Sequence, residues 1–246
     1  MSNKYLILGA TSDLGIDLIN KIIEKEKNGD YTIIAHYHTL SDNLDNITAG
    51  RKVNIVKYKA DMSDLEEVRN MIEWIKDENL IPNHIVNFCA SPFCYTRLSE
   101  WDSDQVNKDM TVQVYSLAEI LSAFLPEMTK NCYGKIVTLL SACTIGIPPK
   151  HMSGYVTVKY ALLGLVKSVA NEYGDQGINI NGVSPGMIET KFLKNVGRKI
   201  KEMSAESNPR HRNLHVTDVT PTILMLLSDE TDFINGTNIN LSATPG

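Results

Sequence analysis

Residues 5–8 form a short apolar run, residues 14–23 repeat apolar side chains at helical spacing, and this pairing recurs almost to the C-terminus. Strand-like runs follow at 31–37, 53–59, 84–88, 135–140, 178–183 and 238–241, with helical spacing at 65–75, 105–130, 155–173 and 219–227. A strand that feeds a helix that feeds another strand must cross over right-handed, which makes neighbouring strands parallel. Helices then cover both faces, so such strands read as continuous apolar runs rather than alternating ones. The expected fold is therefore α/β: a doubly wound parallel sheet with helices on both faces. No Pro/Gly/Ser linker or internal repeat divides the 246 residues, which read as a single domain over 1–246. A charged insertion at about 189–212 interrupts the rhythm.

The formal net charge of −5 gives no field that would draw a polyanion, so no nucleic-acid partner is expected. The apolar run near the N-terminus is too short for a signal peptide and no later run approaches a membrane span, so the expectation is a cytoplasmic protein without a membrane partner. Cys89, Cys94, Cys132 and Cys143 read as free thiols, and neither they nor the six histidines show metal-ligand spacing.

The first strand runs directly into GATSDLG, from Gly9 to Gly15, and then into a helix. A glycine turn between a parallel strand and a helix aims free N–H groups and the helix dipole at an anion. Gly9 suits the tight turn, Gly15 suits close packing of helix on sheet, and Thr11 and Ser12 offer hydroxyls. Asp13 stands where a further glycine would let a phosphate approach; its expected role is to cap the helix by accepting N–H bonds two or three residues on.

Tyr155 and Lys159 are four apart within a helical stretch, which places both on one face. A free phenol titrates near about 10 and is a poor base at neutral pH. A neighbouring ammonium stabilises the phenolate and lowers that value. Such a phenol can protonate a carbonyl or deprotonate an alcohol. The fifth strand ends at IVTLLSA, which puts Ser141 at the carboxyl end of a sheet strand, where open parallel sheets bind their ligands. Its hydroxyl there can hold a substrate oxygen as charge develops on it.

With these residues in place, the chain resembles the short-chain dehydrogenase/reductase family over essentially its full length, and within it is similar to the 3-oxoacyl-acyl-carrier-protein reductases. GATSDLG looks like the family's cofactor loop, with Asp13 in place of the middle glycine. DMSD resembles its acidic motif after the third strand, VNFCAS matches its Asn-Asn-Ala-Gly stretch through Asn87 alone, and NGVSPGMIET resembles its Pro-Gly motif. The resemblance implies a Rossmann-type domain that moves a hydride between NAD(P)(H) and a carbonyl or alcohol, with a 3-oxoacyl thioester as the candidate substrate. It implies Ser141, Tyr155, Lys159 and Gln113 as the catalytic set, with Gln113 standing where the family has Asn. It implies cofactor contacts at Gly9, Thr11, Ser12, Asp13, Leu14, His38, Asp61, Met62, Asn87, Tyr155, Lys159, Pro185, Gly186, Ile188 and Thr190.

The second strand ends in AHYHT, with no acid to bind a ribose 2′-hydroxyl, so NADP(H) is favoured over NAD(H), with His36 or His38 available to a 2′-phosphate. The 189–212 segment falls where the family keeps a substrate lid. Its Lys191, Lys194, Arg198, Lys199, Lys201, Arg210 and Arg212 suit an anionic or carrier-linked acyl substrate. Phe93, Tyr95, His151 and Met152 are candidates for the pocket wall. A homotetramer or homodimer is expected, paired through the 105–130 and Tyr155 helices. The alternative reading is a non-catalytic NAD(P)-binding regulatory or partner subunit, against which the joint presence of Ser141, Tyr155 and Lys159 argues.

Overall fold

The computed structural model describes residues 2–26, 29–39, 42–47, 53–93 and 95–243; Cys94 lies outside them. The elements run β1 (Asn3–Leu8), α1 (Asp13–Lys25), β2 (Tyr31–Tyr37), α2 (Asp42–Asp45), β3 (Val53–Lys59), α3 (Leu65–Asp77) and β4 (His84–Asn87). They continue α4 (Ser103–Met110), α5 (Ser116–Lys130), β5 (Gly134–Leu139), α6 (Ser153–Tyr173), β6 (Ile178–Pro185), α7 (Arg198–Ser207), α8 (Val216–Leu226) and β7 (Asn238–Leu241). One seven-stranded sheet has the order β3-β2-β1-β4-β5-β6-β7, and every pairing is parallel. The doubly wound α/β fold expected from the alternation is the fold observed.

Burial shows why the strands read as unbroken apolar runs. Along β1, Leu6 and Leu8 point into one core with Met71 and Ile75 of α3, Phe124 of α5 and Leu162 of α6. The alternate residues Tyr5 and Ile7 point into the other, against Leu18 and Ile22 of α1 and Val219 and Ile223 of α8. Each fully buried aliphatic side chain contributes about 1.5–3 kcal/mol relative to exposure. The chain leaves β1 outward to β2 and β3, then returns to the far side of β1 at β4. That reversal opens a crevice at the carboxyl ends of β1 and β4, where such sheets bind ligands.

Two local expectations change. The helix predicted over 105–130 is instead α4, a π-turn at Thr111–Tyr115 and then α5. The N-cap of α1 is Ser12, not Asp13: the Ser12 Oγ accepts the Gly15 N–H at 3.0 Å and donates to the Gly9 carbonyl at 2.7 Å. Asp13 is the first helical residue, and its Oδ2 accepts the backbone N–H of Lys191 at 2.8 Å.

The charged insertion is an excursion with its feet together. Ile188 bridges Leu214 in parallel, through Leu214 N–H to the Met187 carbonyl at 2.9 Å and Glu189 N–H to the Leu214 carbonyl at 2.8 Å. Between the feet lie a 3₁₀ turn at Lys191–Leu193 and α7. Among the described residues, no helix is long and apolar enough to cross a membrane, and no group of three or more His, Cys, Asp or Glu is placed to hold a metal ion. Cys89, Cys132 and Cys143 are free thiols.

Candidate active site

The turn after β1 is built around Gly9, whose φ of 76° is a conformation that L side chains rarely adopt. Its N–H donates to Nδ1 of His36 at 3.1 Å, and the other ring nitrogen of His36 meets the Ala60 carbonyl at 3.0 Å. His36 is 1% exposed, and burial pushes its imidazole down to about 4, against the opposing pull of the Ala60 carbonyl. It is a neutral strut that holds the turn. The expectation that His36 meets a 2′-phosphate is therefore overturned. Gly15 is needed for a separate reason: a Cβ there would lie 2.6 Å from the Ala10 carbonyl oxygen.

Thr11, Ser12, Asp13 and Leu14 line a cleft of about 780 Å³ together with Ser141, Tyr155, Lys159, Pro185, Gly186, Ile188 and Thr190. As the first residues of α1, Asp13 and Leu14 carry N–H groups with no intrahelical acceptor, which suits a phosphate. The residues present thus fit the phosphate and nicotinamide portions of a dinucleotide.

Ser141 lies just past the carboxyl end of β5 in extended backbone and caps a short 3₁₀ turn, its Oγ accepting the Cys143 N–H at 3.3 Å. The turn is pinned by Thr144, whose hydroxyl donates to the Ser141 carbonyl at 2.8 Å and accepts from Asn238 Nδ2 at 2.9 Å. The Ser141 hydroxyl keeps its own proton to donate. Tyr155 and Lys159 share one face of α6, with the Lys159 Nζ 5.8 Å from the Tyr155 ring centroid and donating to the Leu139 carbonyl at 2.8 Å. Burial raises the Tyr155 phenol above its usual 10, opposed by a hydrogen bond with Ser141. The lowering expected from Lys159 does not prevail in the protein alone, so the phenol is held protonated. Burial also brings Lys159 down to about 8, opposed by the nearby Cys143 and Cys89 sulfurs.

Six of the expected site residues lie off this cleft. Gly9 shapes it from behind. His38 is largely exposed at the end of β2, with its Nε2 3.7 Å from Oδ2 of Asp61. Burial opposes the charge on Asp61, but hydrogen bonds from the Ser63 N–H and hydroxyl, with His38 and Lys108 nearby, hold its carboxyl below the usual range. The Met62 side chain belongs to the core, which leaves its backbone to meet a cofactor. Asn87 is buried, accepting the Cys89 N–H at 3.0 Å and donating to Thr138 Oγ1 at 3.4 Å. Gln113 is buried inside the π-turn, and its Oε1 has no hydrogen-bond partner.

Phe93, Tyr95 and Met152 line the cleft as expected. His151 does not: it is exposed, with φ of 64°, and its carbonyl accepts the Thr96 N–H at 2.9 Å. Cys143, Met187, Phe192 and Leu193 are wall residues that the sequence reading missed. Phe192 and Leu193 were detectable as an apolar pair inside a basic segment. Of the seven cations in the 189–212 segment, Lys191 alone lines the cleft; Arg198 pairs with Glu202 and Arg212 with Asp218, each at 2.6 Å.

A family model described as enoyl-(acyl carrier protein) reductase matches residues 24–243. The D-beta-hydroxybutyrate dehydrogenase of Rhizobium meliloti is 22% identical over 256 residues, covering 98% of this chain and 97% of its own length. The 3-oxoacyl-[acyl-carrier-protein] reductase FabG of Staphylococcus aureus is 24% identical over 248 residues, covering 98% and 97%. Among solved structures, 4-hydroxyisoleucine dehydrogenase complexed with NADH aligns with a TM-score of 0.84 at 25% identity over 98% of each chain. ElxO with NADP bound aligns with a TM-score of 0.84 at 23% identity over 99% of this chain and 98% of that one.

Proposed function

The chain belongs to the short-chain dehydrogenase/reductase family and is an NAD(P)(H)-dependent oxidoreductase acting between C=O and CH–OH, and on that premise we propose that Tyr155, Ser141 and Lys159 carry its chemistry. The observation that supports this most directly is their meeting in one cleft with the turn after β1 and the 185–190 segment. A dinucleotide held by that turn and the 185–190 segment would supply or accept the hydride at its nicotinamide. Tyr155, held protonated by burial, gives its phenolic proton to the carbonyl oxygen in reduction and takes it back in oxidation. Ser141 donates a hydrogen bond to the same oxygen while keeping its proton, stabilising charge as it develops. Lys159, fixed by the Leu139 carbonyl, sets its ammonium beside the phenol and stabilises the phenolate left after proton transfer. Gln113 lies in the π-turn, which packs against α6, and its amide oxygen meets no protein donor, which suits a bound water that links Lys159 to solvent.

NADP(H) is the favoured cofactor. No acid stands at the end of β2 to select a ribose 2′-hydroxyl, and the exposed His38 is a donor for a 2′-phosphate; a tighter dissociation constant for NADH than for NADPH would overturn this. The substrate reading keeps the 3-oxoacyl thioester, neutral at its reacting end, with exposed Lys194 and Lys199 free to face an acidic carrier outside the cleft. Exposed Trp101, Tyr115 and Tyr160 around α4, the π-turn and α6 suit a homodimer or homotetramer, and the free thiols suit the cytoplasm. Tyr155→Phe should cut turnover at least about 100-fold while the dissociation constant for NADPH moves less than about threefold. Unchanged turnover would sink the assignment.

A further inference from the structure

The substrate end of the cleft has a chemistry of its own. Phe93 is nearly buried and meets the Tyr155 ring edge-to-face, with centroids 5.0 Å apart at 83°. Tyr95 backs Phe93 in the same manner, at 4.7 Å and 84°. Met152 and Met187 pack against this cluster, as do Phe192 and Leu193 from the lid. A carbonyl that reaches the Tyr155 phenol therefore has its neighbouring carbon against an aromatic and thioether wall, a surface that favours a second ring.

No ionic partner stands at that end. Among the described residues lining the cleft, the charged ones are Asp13, Lys159 and Lys191. Lys159 lies behind Tyr155 with its Nζ donating to the Leu139 carbonyl. Asp13 and Lys191 lie at the turn after β1, joined by the Lys191 N–H, and Lys191 also faces the outer cavity shared with Asp17, Asn20 and Lys201. A carboxylate against the wall would lose its hydration without gaining a counter-charge. The other polar groups there, the Ser141, Tyr155, Tyr95 and Ser204 hydroxyls and the Cys143 thiol, carry no positive charge, and the first two are those that hold the reacting oxygen.

We infer that the part of the substrate that enters the cleft is uncharged and carries an apolar, ring-sized group next to the carbonyl carbon, and that Phe93 selects for that group. The inference rests on the catalytic reading of Tyr155 given above. It sets this chain apart from a hydroxy-acid dehydrogenase, which must seat a carboxylate beside the reacting carbon.

Acetophenone and 4-acetylbenzoate present the same ketone with and without a carboxylate. With saturating NADPH, kcat/KM should favour acetophenone by at least about 30-fold. Phe93→Ala should lower the preference for acetophenone over butanone about tenfold, chiefly through KM. Turnover of both ketones with equal or better use of 4-acetylbenzoate would overturn the inference while upholding Tyr155 chemistry. If neither ketone is turned over, titrating both into the NADPH-loaded protein by cofactor fluorescence decides. Tighter binding of acetophenone then upholds the apolar site although the catalytic reading falls, and equal binding or none overturns the inference.

Discussion

Lys159 is a buried cation whose ammonium meets one backbone carbonyl, and its consequence is a pH limit on the reaction. Burial brings it from 10.5 down to about 8, so the ammonium is present below that pH and lost above it. The kcat/KM for carbonyl reduction should fall as pH rises through about 8. Activity remaining in Lys159→Arg should lack that limb, because a guanidinium keeps its proton. A flat wild-type profile up to pH 10 would contradict this role. The Tyr155–Lys159 pair was legible in the sequence because four-residue spacing on a helix fixes a shared face. The choice of cap at α1 was not. Ser12 and Asp13 are both good cap formers, and the decision rests on the Lys191 N–H, far away in sequence, which takes the Asp13 carboxylate. His36 was misread for a similar reason: its position at the end of β2 is visible in the sequence, but its burial under Ala60 and Gly9 is tertiary.

The helical segment from α4 to α5 shows what periodicity conceals. Its apolar spacing continues through Thr111–Tyr115, so the sequence predicts one helix. The structure inserts a π-turn there, with Gln113 buried at its centre. An added residue in a turn shifts the face that each side chain presents, and such turns concentrate at functional sites. Ser116 bonds back to the Val112 carbonyl at 2.8 Å and helps hold the widened turn. The Gln113 Oε1 meets no protein donor, so the water assigned to it is what satisfies it. Gln113→Met, similar in shape but unable to hold that water, should lower kcat several-fold with KM little changed and lower unfolding stability by about 1 kcal/mol. Paired urea titrations and steady-state kinetics would check both halves. A gain in stability with unchanged kcat would show that no water is held there. The inner sheet strands, by contrast, were placed almost to the residue, because burial on both faces favours apolar runs; the edge strands β3 and β7 are only half-buried and mix polar with apolar residues.

For the whole molecule, the strand–helix alternation determined the layered architecture, whereas the order of strands and the site's wall came only from tertiary packing. The same packing sets an acid limit. His36 and His84 are each 1% exposed, and burial lowers both from 6.5 to about 4, with Ala60 opposing in one case and Asp229 in the other. The unfolded chain binds their protons more readily, so their contribution to stability is complete above pH 6.5 and is lost as pH falls to about 4. The loss should be on the order of 3 kcal/mol per histidine, read as a lower urea midpoint at pH 4.5 than at pH 7; equal midpoints would rule it out. The bond between Asp13 and the Lys191 N–H has its own outcome at this scale. It ties the turn after β1 to the segment that brings Phe192 and Leu193 to the cleft wall, so release of one ligand should depend on the other. Turnover should follow a compulsory sequence, dinucleotide first on and last off, with oxidised cofactor competing against reduced cofactor but not against ketone. In Asp13→Ala the departure of the dinucleotide should quicken about fivefold in stopped-flow, and random-order kinetics should appear.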